Sequence, residues 1–130
     1  MAPVRGFTGW IGTVLGTPDP VGLARFYRDL LGGEVDERDG SFVTLKVTAA
    51  DTTYLAFQLE ADHVPPTWPA PAAGQQQMQV HLDVGVGSVA AAVEDALALG
   101  GRLADVQPQD DVRVVLDPAG HPFCLYLDEG

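Results

Sequence analysis

The tetrapeptide LLGG at Leu30–Gly33 and the pentapeptide LALGG at Leu97–Gly101 close two stretches with the same apolar rhythm, and their likeness divides the chain. Before the first, Leu23, Phe26, Tyr27, Leu30 and Leu31 recur every three or four residues, the stripe of an amphipathic helix. Asp19 and Pro20 open that helix with a capping carboxylate and a proline in its first turn, and Gly32–Gly33 stop it. Before the second, Ser88 caps a helix whose stripe is Val89, Val93, Ala96 and Leu97.

Working outward, each helix follows one strand-like segment, Phe7–Thr17 or Met78–Val84, and precedes three more. In the first half these are Glu34–Glu37, Phe42–Thr48 and Thr53–Leu59, with a DG turn at Asp39–Gly40. In the second they are Arg102–Val106, Val112–Leu116 and Pro122–Leu127. Residues 61–77 carry Pro65, Pro66, Pro69 and Pro71 and read as a linker with extended stretches. The expectation is an α+β fold: one domain over 1–130, built as two tandem βαβββ units at about 5–60 and 78–128.

Composition narrows the function. With 46% hydrophobic and 19% charged residues the chain is globular, and no apolar run nears the roughly 20 residues of a membrane span. Glycines interrupt the N-terminal apolar stretch and no small-residue cleavage site follows it, so no secretion signal is read there. A single cysteine permits no internal disulfide, in keeping with a cytoplasmic location. The formal charge of −11, from 18 acidic and 7 basic side chains, repels nucleic acid, and no glycine-rich phosphate loop is present.

The duplication, with FYRDLLGG at 26–33, PPTWP at 65–69, HLDV at 81–84 and DPAGHPFCL at 117–125, resembles the vicinal oxygen chelate superfamily, the glyoxalase and bleomycin-resistance fold. Within it, the motifs are most similar to a glyoxalase-like subgroup common in actinobacteria. The resemblance implies half-barrel units around a shared cleft, a homodimer, and in the enzymes a divalent metal held by the first and last strands of each unit. It puts those places at Gly12, Gln58, His81 and Cys124. Glycine offers no ligand, and a thiol replaces the glutamate that suits hard cations, so no cofactor is expected, a divalent metal being the alternative.

Strand parity adds neighbours on the same faces: Trp10 beside Gly12, Tyr54 and Ala56 beside Gln58, Asp83 beside His81, and Tyr126 beside Cys124. Phe57 and Phe123 point the other way, into the core. Trp68 in the linker closes over the site or packs on a partner subunit. Small residues and aromatic walls suit a flat organic molecule. The expected partner is therefore a small aromatic ligand, with neither nucleic acid nor membrane as partner. Two function classes follow: a metal-free binder that sequesters a natural product or drug, or a lyase or isomerase with His81 as base. A Cys124–His81 nucleophile pair is a further catalytic alternative, against which stands the raised pKa of a thiol in an apolar strand. His121 is expected to stabilise its turn and His63 to be solvated.

Overall fold

The structure, a computed structural model, describes residues 4–8, 11–48, 54–70 and 72–129. It contains two compact units, residues 1–60 and 61–130. Unit 1 comprises β1 (Thr13–Thr17), α1 (Pro20–Leu31), β2 (Gly33–Asp36), β3 (Phe42–Val47) and β4 (Leu55–Leu59). Unit 2 repeats the order with β5 (Leu82–Val86), α2 (Val89–Ala98), β6 (Arg102–Leu103), β7 (Val112–Leu116) and β8 (Pro122–Leu127). The sheet orders, β1-β4-β3-β2 and β5-β8-β7-β6, are the same. In each, the first strand lies parallel to the last and the helix joins it to the remaining antiparallel strands. The α+β architecture of tandem βαβββ units is therefore as expected from the sequence.

Both helix starts form by the chemistry of their caps. The Asp19 carboxylate accepts from Gly22 N at 3.0 Å and Ser88 Oγ from Ala91 N at 3.3 Å, each occupying a donor that the first helical turn leaves unpaired. The core of unit 1 forms where α1 covers its sheet. Tyr27 stacks on Phe57 at 5.7 Å, Phe26 meets Tyr27 edge-on, and Val43, Leu45 and Leu55 are buried with them. In unit 2 the corresponding core holds Ala96, Val115, Phe123 and Leu125.

Several strand limits differ from expectation for identifiable reasons. β5 begins at Leu82, paired with Phe123, because residues before Pro122 belong to the DPAGH turn and cannot extend the ladder. β1 likewise begins at Thr13, opposite the first residue of β4. The expected strand at Arg102–Val106 lasts two residues. Beyond Ala104 a side chain replaces it: Gln107 Oε1 accepts from Val114 N at 2.8 Å, and its Nε2 donates to the carbonyls of Ala104 and Val114. On α2, Ala96 is the buried stripe residue, whereas Leu97 remains 41% exposed.

The 117–122 turn depends on a carboxylate that is almost fully buried. Asp117, 1% exposed, accepts at Oδ1 from the backbone N–H groups of Ala119 and His121, both at 2.9 Å. Gly120 has φ 87°, and a Cβ there would stand 2.7 Å from Pro65. His63 is half-buried rather than solvated, with Nε2 2.8 Å from the Ala119 carbonyl oxygen and its ring 5.0 Å from that of His121. The turn is thus bonded both to itself and to the proline-rich segment. Asp117→Ala strands buried donors and should lower unfolding free energy by about 2 to 4 kcal/mol in denaturant titration.

Candidate functional site

The side chains that converge in unit 2 come from four places in the chain. In the parallel register of β5 and β8, Asp83 lies beside Cys124 and Gly85 beside Tyr126. Because side chains alternate across a strand, these residues share one face, and β7 adds Val112 and Val114 to it opposite Tyr126 and Cys124. His81 immediately precedes β5. Its Nδ1 lies 3.2 Å from Asp83 Oδ1 and 3.4 Å from the Leu82 carbonyl oxygen. Both neighbours are acceptors, which puts the proton of neutral His81 on Nδ1 and leaves Nε2 as the acceptor nitrogen.

Trp68 comes from the proline-rich segment, held there by a bridge in which Thr67 N donates to Gln76 O at 2.8 Å. Its indole stacks on the His81 imidazole with centroids 4.9 Å apart and an interplanar angle of 18°. It also packs against the small apolar cluster of Ala104, Val114 and Cys124. These groups line a pocket of about 390 Å³ together with Asp83, Gln109, Val112 and Tyr126. A larger hollow of about 540 Å³ lies among Val89, Val93, Leu103 and Leu127, with Asp110, Asp111 and Arg113 also lining it, but it has neither the imidazole nor the thiol of the first.

Cys124 is buried, and burial foremost, then the negative charge of Asp83, pushes its thiol above the ordinary range of about 8.5. The resting thiol is therefore protonated at neutral pH and a weak nucleophile. His81, Asp83 and Cys124 nonetheless each offer a ligand atom, all within 4.8 Å of one another.

Of the residues singled out by sequence, Trp68, His81, Asp83, Cys124 and Tyr126 come together in this pocket. Gly12, Tyr54, Ala56 and Gln58 belong to unit 1: Gly12 and Tyr54 are half-buried, Ala56 is fully buried, and exposed Gln58 donates from Nε2 to Glu60 Oε1 at 2.8 Å. Trp10 lies outside the described residues. Phe57 and Phe123 are in the core. Two wall residues, Val112 and Gln109, escaped the sequence reading. Val112 could have been found from the alternation of β7 once its register against β8 was known, whereas Gln109 sits in a loop without a periodic signal.

The fold agrees with comparisons to known proteins. Residues 12–126 match the family described as a glyoxalase-like domain. The chain belongs to that family. No curated protein matches it. Among solved structures it is similar to a glyoxalase/bleomycin resistance protein/dioxygenase family enzyme from Burkholderia phytofirmans, at 18% identity and TM-score 0.65, over 88% of this chain and 94% of that one. A glyoxalase-related enzyme from Fulvimarina pelagi is 22% identical with TM-score 0.64, over 91% and 87% of the two chains. A fosfomycin resistance protein from Listeria monocytogenes is 15% identical with TM-score 0.65, over 92% and 91%. At these identities the likeness is one of fold.

The four metal places implied by the family do not suit its oxygen-preferring cations here. Gly12 has no donor, Gln58 offers only a neutral amide oxygen, and Cys124 is a soft ligand.

The thiol provides a direct check on the pocket's electrostatics. Cys124 should react with iodoacetamide more slowly than a model peptide thiol at pH 8, and Asp83→Asn should accelerate it modestly, since burial is the larger cause. Stability has a matching sign. A thiol pKa raised on folding contributes stability that is complete below the unfolded value of about 8.5 and is lost as pH rises through the folded value, so Cys124→Ser should flatten the alkaline fall in melting temperature.

Proposed function

We propose that this glyoxalase-like protein binds a small, flat organic molecule, an aromatic natural product or drug, in the unit 2 pocket, and holds it unchanged without requiring a metal ion. The observation that carries this reading is the Trp68–His81 stack, 4.9 Å between centroids, at the wall of a pocket of about 390 Å³. A planar ligand can extend that stack, gaining about 0.5 to 1.5 kcal/mol per aromatic pair beyond the area it buries. Val112 and Cys124 offer apolar contact, while His81, Asp83 and Gln109 supply the few polar groups that orient a ligand. The acidity of the chain favours a neutral or cationic ligand over an anion. A resistance role accords with the fosfomycin resistance named for the Listeria neighbour. The proposal includes a cytoplasmic homodimer, for which native mass spectrometry should detect a two-fold species. Among the described residues, no helix is long and apolar enough to cross a membrane.

A second reading, a lyase or isomerase with His81 as base, is favoured by one contact: Asp83 lies 3.2 Å from Nδ1, where it orients the ring and leaves Nε2 toward a substrate proton. The two readings separate on the fate of the ligand.

Trp10→Phe leaves Trp68 as the sole tryptophan and makes its emission a reporter of the pocket. In this variant, planar polycyclic compounds should quench fluorescence and raise the melting temperature in chelator-containing buffer, and should be recovered intact. Trp68→Ala, read by calorimetry, should weaken binding by about 1 to 3 kcal/mol. Turnover abolished by His81→Ala would favour the enzyme, and unchanged affinity in Trp68→Ala would remove this pocket as the site.

A further inference from the structure

We infer that His81, Asp83 and Cys124 form a site for one zinc-like divalent cation within unit 2 alone, with Asp83 as a ligand and no donor from Gly12 or Gln58. This goes beyond the ligand binding proposed above and does not rest on it. The family arrangement divides its ligands between two units and uses the first and last strands of each. Here the third donor is Asp83, placed beside Cys124 by the β5–β8 register and two residues beyond His81.

The distances favour a small cation. In a tetrahedral zinc site, with Zn–N and Zn–O near 2.0 Å and Zn–S near 2.3 Å, neighbouring ligand atoms lie about 3.3 to 3.6 Å apart. The 3.2 Å between His81 Nδ1 and Asp83 Oδ1 already matches such an edge. The thiol sulfur lies within 4.8 Å of a ligand atom of each, so an approach of at most about 1 Å closes the remaining edges.

Donor chemistry selects the ion. Imidazole with thiolate suits zinc and its neighbours in the first transition row, while magnesium, calcium and manganese prefer oxygen. Three protein ligands leave a fourth position, characteristic of zinc sites open to water or a ligand, and the surrounding pocket has the room for it. Trp68 stacked on His81 restrains the imidazole plane.

The proton balance is explicit. On binding, the Cys124 S–H bond breaks, the sulfur pair forms the metal bond, and one proton leaves to solvent; the His81 proton moves from Nδ1 to Nε2 as Nδ1 becomes the ligand. No electron is transferred. Because binding expels the thiol proton, affinity rises with pH.

Reduced, metal-stripped protein titrated with Co²⁺ should develop a near-ultraviolet thiolate-to-cobalt band saturating at one equivalent, which Zn²⁺ displaces and Mg²⁺ does not. Zinc titration by calorimetry in two buffers of different ionisation heat should report release of about one proton. Asp83→Asn, at an exposed position that folding tolerates, should weaken Zn²⁺ binding at least tenfold, Cys124→Ser should abolish the band, and Gln58→Ala should leave affinity unchanged. Absence of the band, equal affinity in Asp83→Asn, or loss of binding in Gln58→Ala would each overturn the assignment. Planar-ligand quenching in chelator is read separately and survives any of these results.

Discussion

The parallel pairing of β5 with β8 is the constraint on which the candidate site depends. A parallel ladder between the first and last strands of a unit can close only through a crossover, and α2 with the β6–β7 hairpin supplies it. The register of that ladder puts a carboxylate beside a thiol, Asp83 opposite Cys124, on the face away from the Phe123 and Leu125 core. A slip of one residue would send Cys124 into the core and bring Phe123 to the pocket. Two devices guard against it: Pro122, which ends the ladder on one side, and the buried Asp117 carboxylate, which fixes the turn that delivers the strand.

Much of this was legible in the sequence because it rests on local chemistry. Asp19, Ser88 and the glycine pairs announce helix ends through caps that act within a few residues, and both helices lie where those signals place them. The final strand was legible from its alternation, with Phe123 and Leu125 inward and Cys124 and Tyr126 on the opposite face. What escaped depends on partners far along the chain. Gln107 truncates β6 by offering its amide to the backbone of Val114, and nothing in the sequence around it signals that substitution. His63, on a polar stretch, read as solvated, yet it reaches a carbonyl 56 residues away. Val112 and Gln109 became wall residues only once the β7–β8 register and the loop before it were fixed.

The pocket joins groups whose preferences conflict in the absence of a bound species. Burial, and after it the carboxylate of Asp83, raises the cost of ionising Cys124, while the same carboxylate lies within 3.2 Å of the His81 ring. A positive centre near these groups, whether an ammonium or a metal ion, would satisfy the carboxylate and relieve the thiol. A neutral planar molecule would instead use the indole and imidazole faces and leave the charges as they are. The same few side chains thus offer two chemically separate modes of recognition, one through ring faces and one through lone pairs.

The attachment of the 61–77 segment has a consequence for how such a protein can change over generations. One end is fastened to the Asp117 turn by His63 and by Pro65 against Gly120, and the Thr67–Gln76 bond closes the remainder of the segment on itself. Trp68 lies close to these fixed points, on a stretch that belongs to neither helix nor sheet. Replacement of its side chain alters one wall, and its contact with Cys124 and Val114, without removing a backbone hydrogen bond of the ladder that positions Asp83 and Cys124. The segment is therefore an exchangeable panel on a fixed frame, where new ligand preferences can arise by point mutation while the folding information stays in the strands.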